Sequence, residues 1–353
     1  MMRWFKLPSS LFKRGSKFSQ KIDHCSATLA VKSASKCESS PLFGTTDRYY
    51  IASTREMFKD GRYEAIRQLG GGRYSQVWLA KDLQENRSVA LKLLTNDCYG
   101  TDHDIFEVEI LRKVTNEHAR LTGASRSRCI TLLDTFQIKG PNGMHECIVM
   151  PIVGSSIMDQ AMRFADKRIP VSIMKTVTRQ LLQGLSFLHD TCRVIHTDLH
   201  PSNICLEIDE DLVQKVLEGQ SISNVTPTMT EEQPGNIKII DFSVAGYLDF
   251  EDDHLAQYME VLGAMPPRLL ESAARTAEFF DDKGNLLRIP SLQQTNLRRF
   301  LDGKEGPLKR PKNMTSEDIS AFVDFLQGAL ALDPHDRKTA KELLRHEWLH
   351  QNA

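Results

Sequence analysis

The ten residues Val194 to Asn203, VIHTDLHPSN, constrain this chain more than any other feature. They place a carboxylate, an amide and two imidazoles in one short polar stretch that follows a long helical pattern. Asp198 and Asn203 stand five apart, and a second acid, Asp241, follows the mainly apolar, strand-like run Ile237 to Ile240. Phosphoryl transfer asks a protein for a carboxylate that can accept a hydroxyl proton, together with an amide and a second carboxylate that can hold Mg²⁺. Such a metal takes hard oxygen ligands, which Asn203 and Asp241 supply.

The rest of the composition bounds the reading. A chain of 353 residues can bury one large core or two modest ones. With a formal net charge of -1 there is no global field to argue for nucleic acid or a membrane surface. Seven cysteines without a C-x-x-C pair read as reduced thiols in an intracellular protein, and no apolar run is long enough to span a bilayer. The first 36 residues differ, with Arg3, Lys6, Lys13, Arg14, Lys17, Lys21, Lys32 and Lys36 against Asp23 alone. Two readings of this basic, Ser-rich segment, taken as residues 1–50, stay open: a disordered tail or an organellar transit segment.

From Tyr63 the texture changes to short strands. Their first joint is Leu69-Gly70-Gly71-Gly72-Arg73-Tyr74-Ser75-Gln76-Val77, where glycines let backbone amides approach phosphate; alone it reads equally as a hairpin turn. Ser88 to Leu94 is an apolar strand interrupted by Lys92. Ile105, Val108 and Leu111 recur at helical period over Asp104 to Val114, with Glu107 and Glu109 among them. Ile130 to Lys139 and Glu146 to Pro151 read as strands around a Gly140-Pro141-Asn142-Gly143 turn. Ile173, Val177, Leu181, Leu185 and Leu188 mark a long buried helix behind Pro170, and Asp209 to Asn236 reads as a surface insertion without clear periodicity.

The spacing His196-Thr197-Asp198-Leu199-His200-Pro201-Ser202-Asn203, followed by Asp241-Phe242, resembles the catalytic-loop and metal-loop signatures of protein kinases. The glycine run and Val89-Ala90-Leu91-Lys92 resemble that family too, and "QLLQGLSFLHDTCR" ahead of "IHTD" is similar to its SR-protein kinase branch, including fungal relatives. The resemblance implies an α+β, two-lobed kinase fold over 63–349. The N lobe, 63–150, would be a small antiparallel sheet with one helix; a hinge at 151–154 and a mostly helical C lobe at 155–349, carrying the insertion 209–236, would follow.

It also implies roles. ATP would lie against Leu69 to Val77, with Lys92 on its α- and β-phosphates, Glu109 as the ion-pair partner of Lys92, Met150 gating the pocket behind adenine, and backbone groups of Ile152 or Val153 at the base edge. Asp198 would accept or orient the substrate hydroxyl, Asn203 and Asp241 would share Mg²⁺, and His196 would be structural, bonding backbone near Asp241. The implied activity is ATP-dependent serine/threonine kinase action on Arg-Ser-rich splicing factors, by a monomer of cytoplasm and nucleus unless the basic start directs it to mitochondria. Direct nucleic-acid binding is not expected. Asp253 and Glu260, seven apart on one helix, would form an acidic docking face for arginines.

The chain departs from the family pattern in three places. His200 stands where kinases carry a lysine that neutralises the transferring phosphate, and Ser243 replaces the glycine after Asp-Phe. After Ser243 there is no A-P-E, and the match resumes at "DHLAQYMEVLG", so a block around the activation segment is expected to be missing; Arg337, whose family partner lies in that block, is expected to be a buried unpaired cation. Two rival readings follow: a pseudokinase that binds nucleotide without turnover, and a small-molecule phosphotransferase of the aminoglycoside or choline kinase type, which places a His at the position of His200.

Overall fold

The computed structural model describes residues 48–72, 74–98, 106–121, 127–242, 251–273, 275–289, 291–292, 294–302, 310–311 and 314–351, without the side chains of 251–254 and 257. The basic start through residue 47, Arg73 and Ser243 therefore lie outside the described residues. Of those described, 48–173 and 187–242 form one compact unit, and 174–186 and 251–351 a second.

The first unit is built on an antiparallel sheet. Its strands are β1 (Met57–Phe58), β2 (Tyr63–Gly71), β3 (Ser75–Asp82), β4 (Arg87–Leu94), then α1 (Glu107–Ala119), β5 (Asp134–Gly140) and β6 (Gly143–Met150), in the spatial order β1-β2-β3-β4-β6-β5. The expected strands and the turn at 140–143 are present, with Gly140 opposite Gly143. Trp78, Ala80, Val89, Leu91, Leu93, Cys147 and Val149 supply most of the buried core, which also takes in Phe58, Tyr63 and Ala65.

This sheet is strongly curled. In a flat sheet β2 and β5, four strand positions apart, would be separated by about 19 Å. Instead Tyr63 Oη donates to Asp134 at 2.7 Å, its ring stacks on Phe136 at 5.6 Å, and Lys59 Nζ meets Asp134 at 2.6 Å. Asp82, fully buried beside them, accepts from Arg62 Nε and Nη2 at 3.0 and 2.9 Å. A charged cluster thus stitches the two sides of the sheet at one end.

Beyond β6 come α2 (Ile157–Ala161), α3 (Val171–Ser186), β7 (Ile204–Leu206), α4 (Glu210–Leu217), α5 (Ile222–Val225) and β8 (Ile237–Ile239), with β7 and β8 paired. The expected cut between lobes at 151–154 differs from the division into compact units. Ile239 explains why: its N–H donates to Arg128 O at 2.6 Å and its carbonyl accepts from Ile130 N at 2.9 Å, tying β8 to the approach of β5.

The segment 209–236 is more than a surface excursion, which corrects the reading from sequence. Asp209 and Ser221 cap α4 and α5, and Val213, Val216, Ile222, Val225 and Met229 are buried. Thr226 Oγ1 accepts from Ser155 N at 3.0 Å, and Gln160 Nε2 donates to Pro227 O at 2.9 Å. A Cβ on Gly154 would meet Ile208 and Thr226 side chains at 2.8 to 2.9 Å, so the chain after β6 has room only for glycine there. Two short helices give little periodicity to read, so their burial is not apparent from sequence.

The second unit is helical, with α6 (Glu251–Leu262), α7 (Pro267–Ser272), α8 (Thr276–Phe279), α9 (Leu297–Asp302), α10 (Ser316–Leu330) and α11 (Ala340–Leu344). Val261, Leu297 and Phe300 centre its core, against Val323, Leu326 and Leu330 of α10. Arg337 is not the unpaired cation expected. Its Nε and Nη2 donate to Ala331 O at 2.9 Å and Leu332 O at 3.3 Å, the C-cap of α10 and the residue after it. Sheet first and helices after make the chain α+β, as the resemblance implied. No helix among the described residues is long and apolar enough to cross a membrane, and the five described cysteines are free and buried.

Candidate active site

β4 places Lys92 between two neighbours: its cross-strand partners are Val77 on β3 and Ile148 on β6, while Ala90 pairs with Met150. The register therefore sets the strand leaving the glycine run beside the lysine strand, and that strand beside the chain leading to Ile152 and Val153. Leu69, Val77, Met150, Ile152 and Val153 are all buried. Gly70 and Gly71 pair with Val77 and Gln76, and Gly72 N–H donates to Ser75 O at 2.8 Å, closing the hairpin through Tyr74.

Lys92, 4% exposed, meets both oxygens of Glu107 at 2.7 Å and Asp241 Oδ1 at 3.0 Å. Burial works against its charge, but the Asp241 and Glu107 carboxylates outweigh it and raise the ammonium above its ordinary value. Burial pushes the Glu107 carboxyl up against the pull of Lys92. The partner named from sequence, Glu109, is corrected: it is exposed, and Glu107 makes the pair. The signal lay in the helix face, because Glu107 falls with Val108, Leu111 and Val114 on the buried stripe of α1 while Glu109 does not.

The catalytic stretch follows a π-helical turn, Phe187–Thr191, that ends α3. Its conformation is held from below. His196, 2% exposed, contacts Ile240 O through Nε2 at 2.9 Å and packs on the Phe242 ring, the structural role expected of it. Burial lowers its pKa, which keeps the imidazole neutral and Nε2 the donor. Thr197 and Asp241 both take positive φ, 66° and 63°, backbone conformations that L-residues adopt at a cost and that place their side chains locally.

Asp198 and Asn203 are joined directly, Asn203 Nδ2 donating to Asp198 O at 3.0 Å. Asn203 O in turn accepts from Ile240 N at 3.0 Å, just ahead of Asp241. The amide's other end, Oδ1, is buried with no partner among the described residues. An orphaned buried oxygen acceptor, on a residue whose main chain bonds to the neighbour of a carboxylate, suits a hard cation, so the residues fit Mg²⁺. His200 Nδ1 accepts from Ser202 N at 3.2 Å, capping the turn Pro201–Asn203, and its Nε2 lies 3.8 Å from Asp198 Oδ2.

The acidic docking pair is corrected in one member. The helix expected around it forms as α6, but Glu260 is 1% exposed and offers no carboxylate at the surface. Ala256, one turn earlier on that face, is buried with it, and so are the adjoining Met259 and Val261. The side chain of Asp253 lies outside the described residues.

Comparison with known proteins gives the same family. The protein kinase domain matches residues 63–349. Protein kinase dsk1 of Schizosaccharomyces pombe is 29% identical over 286 residues, covering 80% of this chain and 52% of its own length. Serine/threonine-protein kinase SKY1 of Saccharomyces cerevisiae is 36% identical over 171 residues, 48% of this chain and 23% of its own, and SRSF protein kinase 3 of Mus musculus is 33% identical over 168, 48% and 29%. The chain thus spans 23% to 52% of the length of these relatives.

Proposed function

Because the chain belongs to the protein kinase family, we propose that it transfers the γ-phosphate of ATP to a serine or threonine hydroxyl of a protein. The observation that carries this is the buried ammonium of Lys92 shared between Glu107 and Asp241, since it joins the sheet to the catalytic stretch through one charge. In this reading Lys92 holds the α- and β-phosphates. Asp198 accepts the proton of the attacking hydroxyl; that oxygen bonds to the γ-phosphorus as the bond to the β,γ-bridging oxygen breaks, and ADP leaves with the electron pair. Asn203 Oδ1 and Asp241 would hold Mg²⁺, which when bound neutralises phosphate charge. His200, donating from Nε2, stands near Asp198 where it can meet the transferring group.

The finer proposal is that the substrate is rich in Arg-Ser repeats. Its support is similarity to relatives named SRSF protein kinase, at 33% identity over about half of this chain. A second reading, nucleotide binding without transfer, is favoured by one observation: only residues 243–250 separate Phe242 from α6, too short an interval for an activation segment with A-P-E. A relative from Physarum polycephalum aligns over 388 positions, more than the 353 of this chain, so it carries residues that have no counterpart here.

The test is transfer of labelled phosphate from Mg-ATP to an Arg-Ser peptide and to a serine peptide without arginine, with Asp198→Ala alongside. Transfer lost in that variant supports kinase action, and preference for the first peptide supports the finer reading. Nucleotide binding without transfer to either supports the second.

A further inference from the structure

The segment ahead of β1 reaches the glycine run by two side chains. Tyr49 Oη donates to Gly72 O at 3.1 Å, and the Arg48 guanidinium lies over the Tyr74 ring, 5.8 Å from its centroid. These contacts fall on either side of the hairpin tip, whose own closure is the Gly72 N–H bond to Ser75 O. Both polar groups of Gly72 are therefore engaged, one within the hairpin and one from outside it.

The segment itself is fixed to firmer parts of the sheet. Arg48 O accepts from Asn96 N at 3.1 Å, its guanidinium pairs with Asp97, and Tyr49 O accepts from Asn142 Nδ2 at 2.9 Å. The Tyr50 ring meets Phe58 and His145 edge-on, with centroids 5.9 and 5.5 Å away, and His145 lies between Leu94 O and Asn142 Oδ1 at 2.8 Å each. Residues 48–50 thus run from the end of β4 to the β5–β6 turn, and what they leave over reaches the glycine run.

We propose that Arg48 and Tyr49 are positioning residues for ATP, holding the glycine run in its phosphate-ready conformation before nucleotide arrives. Three successive glycines have more backbone freedom to lose than any other residues, and that loss falls on binding unless it is met beforehand. A hydroxyl and a guanidinium anchored outside the hairpin restrict that freedom in advance. The effect belongs in nucleotide affinity and not in the chemical step, because the two side chains act on Gly72 and Tyr74 of the hairpin. The inference deepens the kinase reading and rests on its nucleotide site.

The experiment compares Tyr49→Phe and Arg48→Ala with Tyr50→Phe, which loses a similar hydroxyl bond, to Glu56, without touching the glycine run. Tyr49→Phe is expected to raise KM for ATP about twofold to tenfold, the net range of one hydrogen bond, with kcat unchanged. Tyr50→Phe is expected to lower Tm alone. Equal KM in Tyr49→Phe and wild type, or an equal rise in Tyr50→Phe, overturns the proposal. Calorimetric Kd for Mg-ATP is measured on the same proteins. If wild type binds without transferring phosphate, kinase action fails alone and the Kd ratio decides the proposal; if wild type binds no Mg-ATP, both fail.

Discussion

Replacing Glu107 by alanine removes both 2.7 Å bonds to Lys92 and leaves the ammonium with Asp241 at 3.0 Å. Taking one partner from a buried ion pair costs about 3–5 kcal/mol, because the remaining charge stays out of water. Asp241 still faces Lys92, which puts the expected loss at the low end, about 3 kcal/mol. For a unit of this size each kcal/mol is worth about 2–4 °C, so Tm should fall by about 6–12 °C. If the same energy is lost from phosphate positioning, kcat/KM falls about a hundredfold. Glu109→Ala, at an exposed position on the same helix, should move neither quantity. Pairing Glu107→Leu with Lys92→Met should recover only part of the stability, since an apolar pair replaces a charged one while Asp241 loses its ammonium partner, and none of the transfer. Scanning calorimetry and initial rates on the four proteins decide it. Equal losses in Glu107→Ala and Glu109→Ala, or an unchanged Tm in Glu107→Ala, would refute the reasoning.

Other perturbations test other parts. Hydrogen bonds from Arg62 hold the Asp82 carboxyl below its usual range; at Asp134 burial works the other way, but bonds from Lys59 and Tyr63 outweigh it and the net shift is also downward. With folded values below unfolded ones, the stability they contribute is complete above about pH 4 and is lost as pH falls through the folded values. Asp82→Asn should therefore cost about 3 kcal/mol at neutral pH, yet lose less than wild type on acidification, as urea midpoints at each pH will register. His200→Lys puts a permanent cation near Asp198 and should raise kcat about tenfold, a modest share of what one transition-state donor is worth; a slower enzyme would show that the imidazole has its own task. Gly154→Ala forces a methyl into the Ile208 and Thr226 side chains and should cost about 1–3 kcal/mol, read as a lower Tm.

What could be read from sequence was local. The hairpin at 140–143 follows from its own turn residues and the strand around Lys92 from its apolar run, while the joint meaning of the glycine run and Lys92 followed from the family resemblance. The structural place of His196 followed from the family resemblance. What escaped depends on parts of the chain distant from one another. Glu107 and Glu109 differ by two residues in sequence but by nearly half a turn in direction, and only the full set of buried positions on α1 separates them. Glu260 looked exposed because its charge suggested water, whereas its helix turns that face inward. Arg337 looked unpaired because a side-chain partner was sought; the main-chain carbonyls of Ala331 and Leu332, just past α10, accept from it instead. The burial of 209–236 rests on contacts with Ser155 and Gln160 that no local pattern announces.

The stitched end of the sheet has a bearing on how the first unit opens. An ordinary open sheet frays from its outermost strands, each releasing its amides at its own low free energy. Here β2 and β5 share Asp134, so pulling away β5 strips partners from Lys59 and Tyr63 on the far side, and unseating Tyr63 bares the Phe136 ring. The amides of β2 and β5 should then exchange with solvent hydrogen in one shared opening, although four strand positions separate them. In Asp134→Asn that common event should split into two, with β5 exchanging first.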